Sequence, residues 1–140
     1  MAVVEAVSRR AGHPVRLTGP ADLHALLDPA RLECALGHLV QNAIEASPAG
    51  EAVWITIERR GLEIAVTVLD HGRGMSAEFV RHGLFQPFAT TKAGGFGIGA
   101  HEARALIGAM GGRLEVESRE GEGSRFTILL PYAEPERLSA

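Results

Sequence analysis

Cysteine occurs once in these 140 residues, at Cys34. A disulfide framework is therefore excluded, and a reducing compartment fits the composition. Aromatic residues are sparse, at 5% of the chain. No apolar run approaches the ~20 residues that span a bilayer, and no signal peptide is read at the start of the sequence. Charge is mixed along the chain, with a formal net of -3. No basic stripe is present, which argues against nucleic acid as a main partner. Internal repeats and low-complexity segments are absent as well. What is there suits one folded unit over residues 1–140, since a ~150-residue domain buries about 70% of its unfolded surface without covalent staples.

The periodicities divide the chain into elements. Residues 1–14 carry no clear pattern, and Val15 to Leu17 reads as a short strand. Asp28 followed by Pro29 reads as an N-cap and a first helical residue. From there Leu32, Leu36, Leu39, Val40, Ala43 and Ile44 recur at helical spacing, up to a stop near Ser47-Pro48. Val53, Ile55 and Ile57 alternate as a strand, as do Ile64, Val66 and Val68, with Arg60-Gly61 marking a hairpin turn. A short helix is predicted around residues 76–82 and an amphipathic one over about 98–110, stopped by Gly111-Gly112. Leu114 and Val116, then Phe126, Ile128 and Leu130, form a last pair of strands. Antiparallel hairpins with helices on one face make an α+β two-layer sandwich. Between residues 70 and 99 lies a long glycine-rich stretch, and so long a loop in a small domain is normally functional.

Within that stretch, Thr90 to Arg104 reads TTKAGGFGIGAHEAR. Glycines running into a helix N-terminus expose N–H groups and a positive dipole end to an anion. A P-loop is excluded because Lys92 precedes the glycines. A dinucleotide fingerprint is excluded because Gly95, Gly97 and Gly99 are spaced G-x-G-x-G with no strand directly before them. A protein-kinase glycine loop lacks its companion motifs. On its own, the run is as compatible with a structural turn as with a phosphate site.

Three further stretches lie in order around it. In GHLVQNAIEASP, His38, Asn42 and Glu45 fall at i, i+4 and i+7, one polar stripe beside the apolar face; the plain alternative is a solvated face. In LDHGRGMS, Asp70 ends a strand and meets Gly72 and Gly74. A carboxylate there can accept from an amino group of a flat ligand lying close to the backbone, or it can simply make an Asx-type turn. In LFQPFATTKAGG, Phe85 and Phe88 are placed to pack a loop against the body. Cys34 and His38 are also i, i+4, but without a second cysteine or an H-E-x-x-H pattern they do not read as a zinc site.

Together these stretches resemble the N, G1, F and G2 boxes of sensor histidine kinases of the GHKL ATPase superfamily. NAIEA is similar to the N box, DHGRGM to the G1 box, LFQPFATTK to the F box and GGFGIG to the G2 box, and the likeness runs over about residues 15–131. GHLVQNA and FATTKAGGFGIGAHEAR resemble the histidine kinases of PEP-CTERM systems in particular. The resemblance implies a Bergerat fold, a two-layer sandwich whose mixed, mostly antiparallel sheet carries its helices on one face. ATP and Mg²⁺ are the implied ligands. Asn42 would ligate Mg²⁺ bridging the phosphates, and Asp70 would accept from the adenine amino group while Gly72, Gly74 and Met75 let the backbone approach the base. Phe85 and Phe88 would anchor a lid over about residues 83–97. Thr90, Thr91, Lys92, Gly95, Phe96, Gly97, Ile98 and Gly99 would complete the phosphate side, with Asn42, His38 and Lys92 as the catalytic set.

Three departures from the family pattern matter. Hydrolysing relatives such as gyrase-type ATPases carry a water-activating glutamate four residues before the asparagine, where this chain has His38. That favours transfer to a protein over hydrolysis. Glu45 falls where some members carry a basic residue, so no phosphate contact is expected from it. An acceptor histidine with an acidic follower and a later proline is not found; His101-Glu102 lies within the predicted second helix and reads as structural. The implied function is the ATP-binding catalytic domain of a two-component sensor histidine kinase, not autophosphorylating alone. It would donate the γ-phosphoryl group to a separate dimerisation and phosphoacceptor domain, and serve a response regulator indirectly. A cytoplasmic location follows, without membrane contact by this chain, even where the parent protein is membrane-anchored. A serine-directed kinase or ATPase on the same fold, or a nucleotide-sensing module without catalysis, are the competing readings.

Overall fold

A computed structural model describes residues 2–10, 15–19, 25, 28–48, 50–85 and 97–132. Its helices are α1 (Ala2–Arg10), α2 (Pro29–Ala46), α3 (Ala77–His82) and α4 (Gly97–Ala109). Its strands are β1 (Val15–Thr18), β2 (Val53–Arg60), β3 (Glu63–Asp70), β4 (Arg113–Arg119) and β5 (Gly123–Pro131). The strands form one sheet in the order β1-β2-β3-β5-β4. β1 runs parallel to β2, and the other neighbours are antiparallel. The mixed, mostly antiparallel sheet expected from the sequence is therefore present.

α2 begins where its capping chemistry allows. The Asp28 side chain accepts the Ala30 N–H at 3.0 Å from an extended backbone, and Pro29 opens the helix. A cap of this kind is worth about 1 kcal/mol over alanine. Leu32, Leu36, Leu39, Val40 and Ala43 are buried along one face, and the helix ends at Ser47, whose N–H and Oγ both reach the Ala43 carbonyl. The β2–β3 hairpin turns through Gly61 at φ 60°, the positive φ that the primed two-residue loops require at their first position.

Cross-strand register builds the sheet face of the core. Ile55 stands opposite Val68 and Ile57 opposite Val66. Val68 in turn faces Phe126, and Val66 faces Ile128. With Leu36, Leu39, Ala100, Ala103 and Ile107 from the helices, these residues form one apolar cluster. Each fully buried Leu, Ile or Phe contributes about 1.5–3 kcal/mol. α2 packs on β2, β3 and β5 and also against α4, which seats the helix carrying Asn42 on the strand that ends at Asp70.

One expectation is corrected at the N-terminus. Residues 1–14 appeared patternless, yet residues 2–10 form α1. Val4 and Val7, one turn apart, are buried in the common core, and the helix leans on α2.

Candidate functional site

The polar stripe of α2 divides on folding. Asn42 is 3% exposed, whereas Glu45 lies at the surface and accepts from the Gln41 amide at 3.2 Å. His38 is intermediate. Its Nε2 lies 3.0 Å from Glu102 Oε2 on α4 and 3.7 Å from Cys34 Sγ. The solvated-face alternative therefore holds for Glu45 and fails for Asn42. Glu102, noted in the sequence only as the acidic residue after His101, was not expected to pair with His38, because a charged residue on the exposed side of a helix carries no signal of a partner on another helix.

Asp70 is the last residue of β3 and is 1% exposed. Its Oδ1 accepts the Gly72 N–H at 2.8 Å, so the Asx-type turn exists. The turn uses only one oxygen. Burial raises the pKa of this carboxyl above its ordinary 3.8, while the Gly72 and Ser124 N–H groups and the positive charge of His71 and Arg73 pull the other way. Among the described residues, two buried side-chain polar atoms have no hydrogen-bond partner: Asp70 Oδ2 and Asn42 Nδ2. An unsatisfied buried polar group costs about 1–3 kcal/mol, so each calls for an explanation.

The loop after Asp70 brings the two residues' elements together. The Arg73 N–H donates to the Ala46 carbonyl, one turn beyond Asn42, at 3.3 Å. A Cβ on Gly72 would collide with that same carbonyl. Gly74 has φ 67°, and a Cβ there would run into the Arg119 carbonyl. On the far side the loop is held by the β4–β5 hairpin: the Gly121 N–H reaches the Arg73 carbonyl at 2.7 Å and the Met75 N–H reaches Ser118 Oγ at 2.8 Å. Gly72 and Gly74 are thus required by close approach of the chain's own backbone at Ala46 and Arg119. Ser118 and Ser124 were missed, although the GEGS stretch that ends at Ser124 was a visible cue.

Phe85, expected as an anchor, is half-buried. Its carbonyl lies 3.0 Å from His101 Nδ1, and Arg104 sits 4.8 Å over its ring. His101 therefore has a packing partner, in keeping with a structural role. Its neighbour Leu84 is fully buried. The expected contributions of Phe88, Thr90, Thr91, Lys92, Gly95 and Phe96 lie outside the described residues, as does most of the lid assigned to residues 83–97. Gly97, Ile98 and Gly99 begin α4, and their side chains are likewise not described.

A cleft of about 280 Å³ at the strand ends is lined by Asp70, His71, Ser118, Gly123 and Ser124 among others. A groove of about 560 Å³ follows α2 past Val7, Cys34, Gly37 and His38. The groove is the larger, but neither buried orphan lines it. Of the two orphans, Asp70 lines the smaller cleft, and Asn42 is not among the described residues lining either space.

Residues 27–134 match the family described as histidine kinase-, DNA gyrase B-, and HSP90-like ATPase. The chain belongs to that family. It is 40% identical over 131 residues to the C4-dicarboxylate transport sensor protein DctB of Rhizobium meliloti (strain 1021), covering 90% of this chain and 21% of that protein. It is 36% identical over 104 residues to the sensor histidine kinase ZraS of Escherichia coli O157:H7, covering 74% of this chain and 22% of that one. The chain thus spans about a fifth of the length of these curated relatives. The solved catalytic domain of histidine kinase ThkA superposes with a TM-score of 0.79 at 29% identity, over 93% of this chain and 92% of that domain. The fold of this ATPase domain is accordingly that of histidine kinase catalytic domains. The narrower likeness to PEP-CTERM-system kinases rests on the two sequence stretches alone.

Proposed function

We propose that this ATPase domain binds ATP with Mg²⁺ and donates the γ-phosphoryl group to a histidine on a separate dimerisation domain, in the cytoplasm, upstream of a response regulator. Residues 1–140 act in this reading as one catalytic ATP-binding unit. The observation that carries it is the pair of buried orphans, Asp70 Oδ2 and Asn42 Nδ2. They stand on neighbouring elements, and each suits one end of an adenine nucleotide.

Asp70 Oδ2 is a buried acceptor that its own turn does not use, so the adenine amino group is a fitting partner. Gly72, Gly74 and Met75 form the adjoining backbone wall against the base. The Asn42 amide offers Nδ2 to a phosphate oxygen or, turned over, Oδ1 to a cation; the two orientations are exchangeable assignments. Among the described residues no group of three His, Cys, Asp or Glu side chains could hold a metal ion. One amide oxygen plus the phosphates of the nucleotide is nonetheless a sufficient Mg²⁺ site, because this ion keeps several of its waters. When bound, the ion neutralises charge that develops on the phosphates during transfer. His38, with Nε2 held by Glu102, keeps Nδ1 for a water or a phosphate oxygen.

The test supplies γ-labelled ATP and Mg²⁺ to the chain, with and without the dimerisation domain of a sensor histidine kinase. Acid-labile label on the acceptor histidine, with the chain alone unlabelled, is the expected result. ADP formation that ignores the acceptor would assign hydrolysis instead.

A further inference from the structure

Ser118 stands on β4, outside every stretch that resembles a family box. We infer that it is a positioning residue for the wall that faces the base; this rests on the adenine reading of Asp70 given above. Its Oγ accepts the Met75 N–H at 2.8 Å. It also lies 2.8 Å from Ser124 Oγ and 3.1 Å from the Gly123 carbonyl. A hydroxyl has one proton and two lone pairs. One lone pair takes the Met75 N–H. Either the proton goes to the Gly123 carbonyl while Ser124 donates into the second lone pair, or the proton goes to Ser124. In both arrangements rotation of the hydroxyl sacrifices a bond, so the group is locked.

The two structures joined by this hydroxyl are the two sides of the candidate base site. Met75 closes the glycine loop that begins at Asp70. Ser124, 2% exposed, is the register partner of Asp70 across β3 and β5, and directly opposed residues place their side chains on one face about 4.5–5.5 Å apart at Cβ. Gly121 and Ala46 tie the loop at Arg73; at Met75 the tie is Ser118. Without it, the Met75 N–H keeps its burial and loses its acceptor, and the loop shifts relative to Asp70. Ser118 touches no ligand in this account. It sets the distance between the carboxylate that reads the amino group and the backbone that lies along the base.

Calorimetric titration of the full chain with ATP and with inosine triphosphate is the test. The second nucleotide carries a carbonyl where adenine has its amino group, so it cannot donate to Asp70. Ser118→Ala is expected to weaken ATP about tenfold with little change for inosine triphosphate, narrowing the discrimination. Ser118→Thr, which keeps the oxygen, is expected to restore it. Unchanged ATP affinity in folded Ser118→Ala overturns the inference, and so does an equal loss for both nucleotides, which marks a merely structural hydroxyl. A wild-type chain that binds neither nucleotide overturns the ATP reading and this inference with it. If Ser118→Ala does not fold, hydrogen exchange at the Met75 amide of the wild-type chain decides. Strand-like protection is expected, and exchange as fast as an open loop overturns the assignment.

Discussion

The Asp70 carboxylate takes the Gly72 N–H at 2.8 Å on one oxygen and keeps the other buried without a partner among the described residues. The turn geometry is thus complete with half of the side chain unused. A buried acceptor of this kind weakens the folded state and strengthens any complex that satisfies it.

The pH dependence of stability follows from the same carboxyl. Burial raises its pKa above 3.8 in the folded chain. Between 3.8 and that raised value, the folded chain holds a proton that the unfolded chain has released. Stability from this group is therefore greatest in acid and falls as pH rises through the window. Asp70→Asn is expected to remove that component and to be at least as stable as wild type at neutral pH. Urea unfolding of both proteins across the acid range measures it; a neutral-pH loss in the mutant would show that the ionised form is favoured by its surroundings.

Asn42→Ala is expected to leave the core intact, because Asn42 lies outside the apolar core cluster, while removing the Mg²⁺ dependence of nucleotide binding and abolishing transfer. One side-chain oxygen is a large share of the protein's contribution to such a site. Titrations with and without Mg²⁺ report it. Normal Mg²⁺-dependent transfer by the mutant would refute the assignment.

Two glycines should respond in opposite directions. Gly37 lies inside α2 with open space where a Cβ would go, so Gly37→Ala is expected to stabilise by about 0.5–1 kcal/mol. Gly74 combines φ 67° with a backbone carbonyl in the way. The left-handed conformation alone costs a non-glycine residue about 1–2 kcal/mol, so Gly74→Ala is expected to destabilise by more than that and to weaken nucleotide binding. Denaturation midpoints at constant slope check both.

Much of this was legible in the sequence because local chemistry and tertiary structure agree. Asp28-Pro29 and Ser47 bound α2 where the apolar spacing begins and ends, and the alternating valines and isoleucines of β2 and β3 name the buried face. α1 was not read from the sequence: nine residues are too few to hold as an isolated helix, and it is ordered by packing on α2 and β1. The parallel pairing of β1 with β2 was hidden too, since alternation within a strand says nothing of its neighbour. At the site, Asp70 and the glycines stood out because close backbone approach restricts residue type. Ser118 and Glu102 did not, because a polar residue at an exposed-looking position reads as solvated until its partner on another element is known.

Calorimetric titration of wild-type and Asp70→Asn chains with ATP and Mg²⁺ tests the central claim most directly. One saturable site is expected in the wild type. In the folded mutant, affinity should fall roughly 5- to 150-fold, the equivalent of about 1–3 kcal/mol for one lost partner of a buried hydrogen bond. Equal affinity in the two proteins, or no binding by the wild type, would contradict the claim.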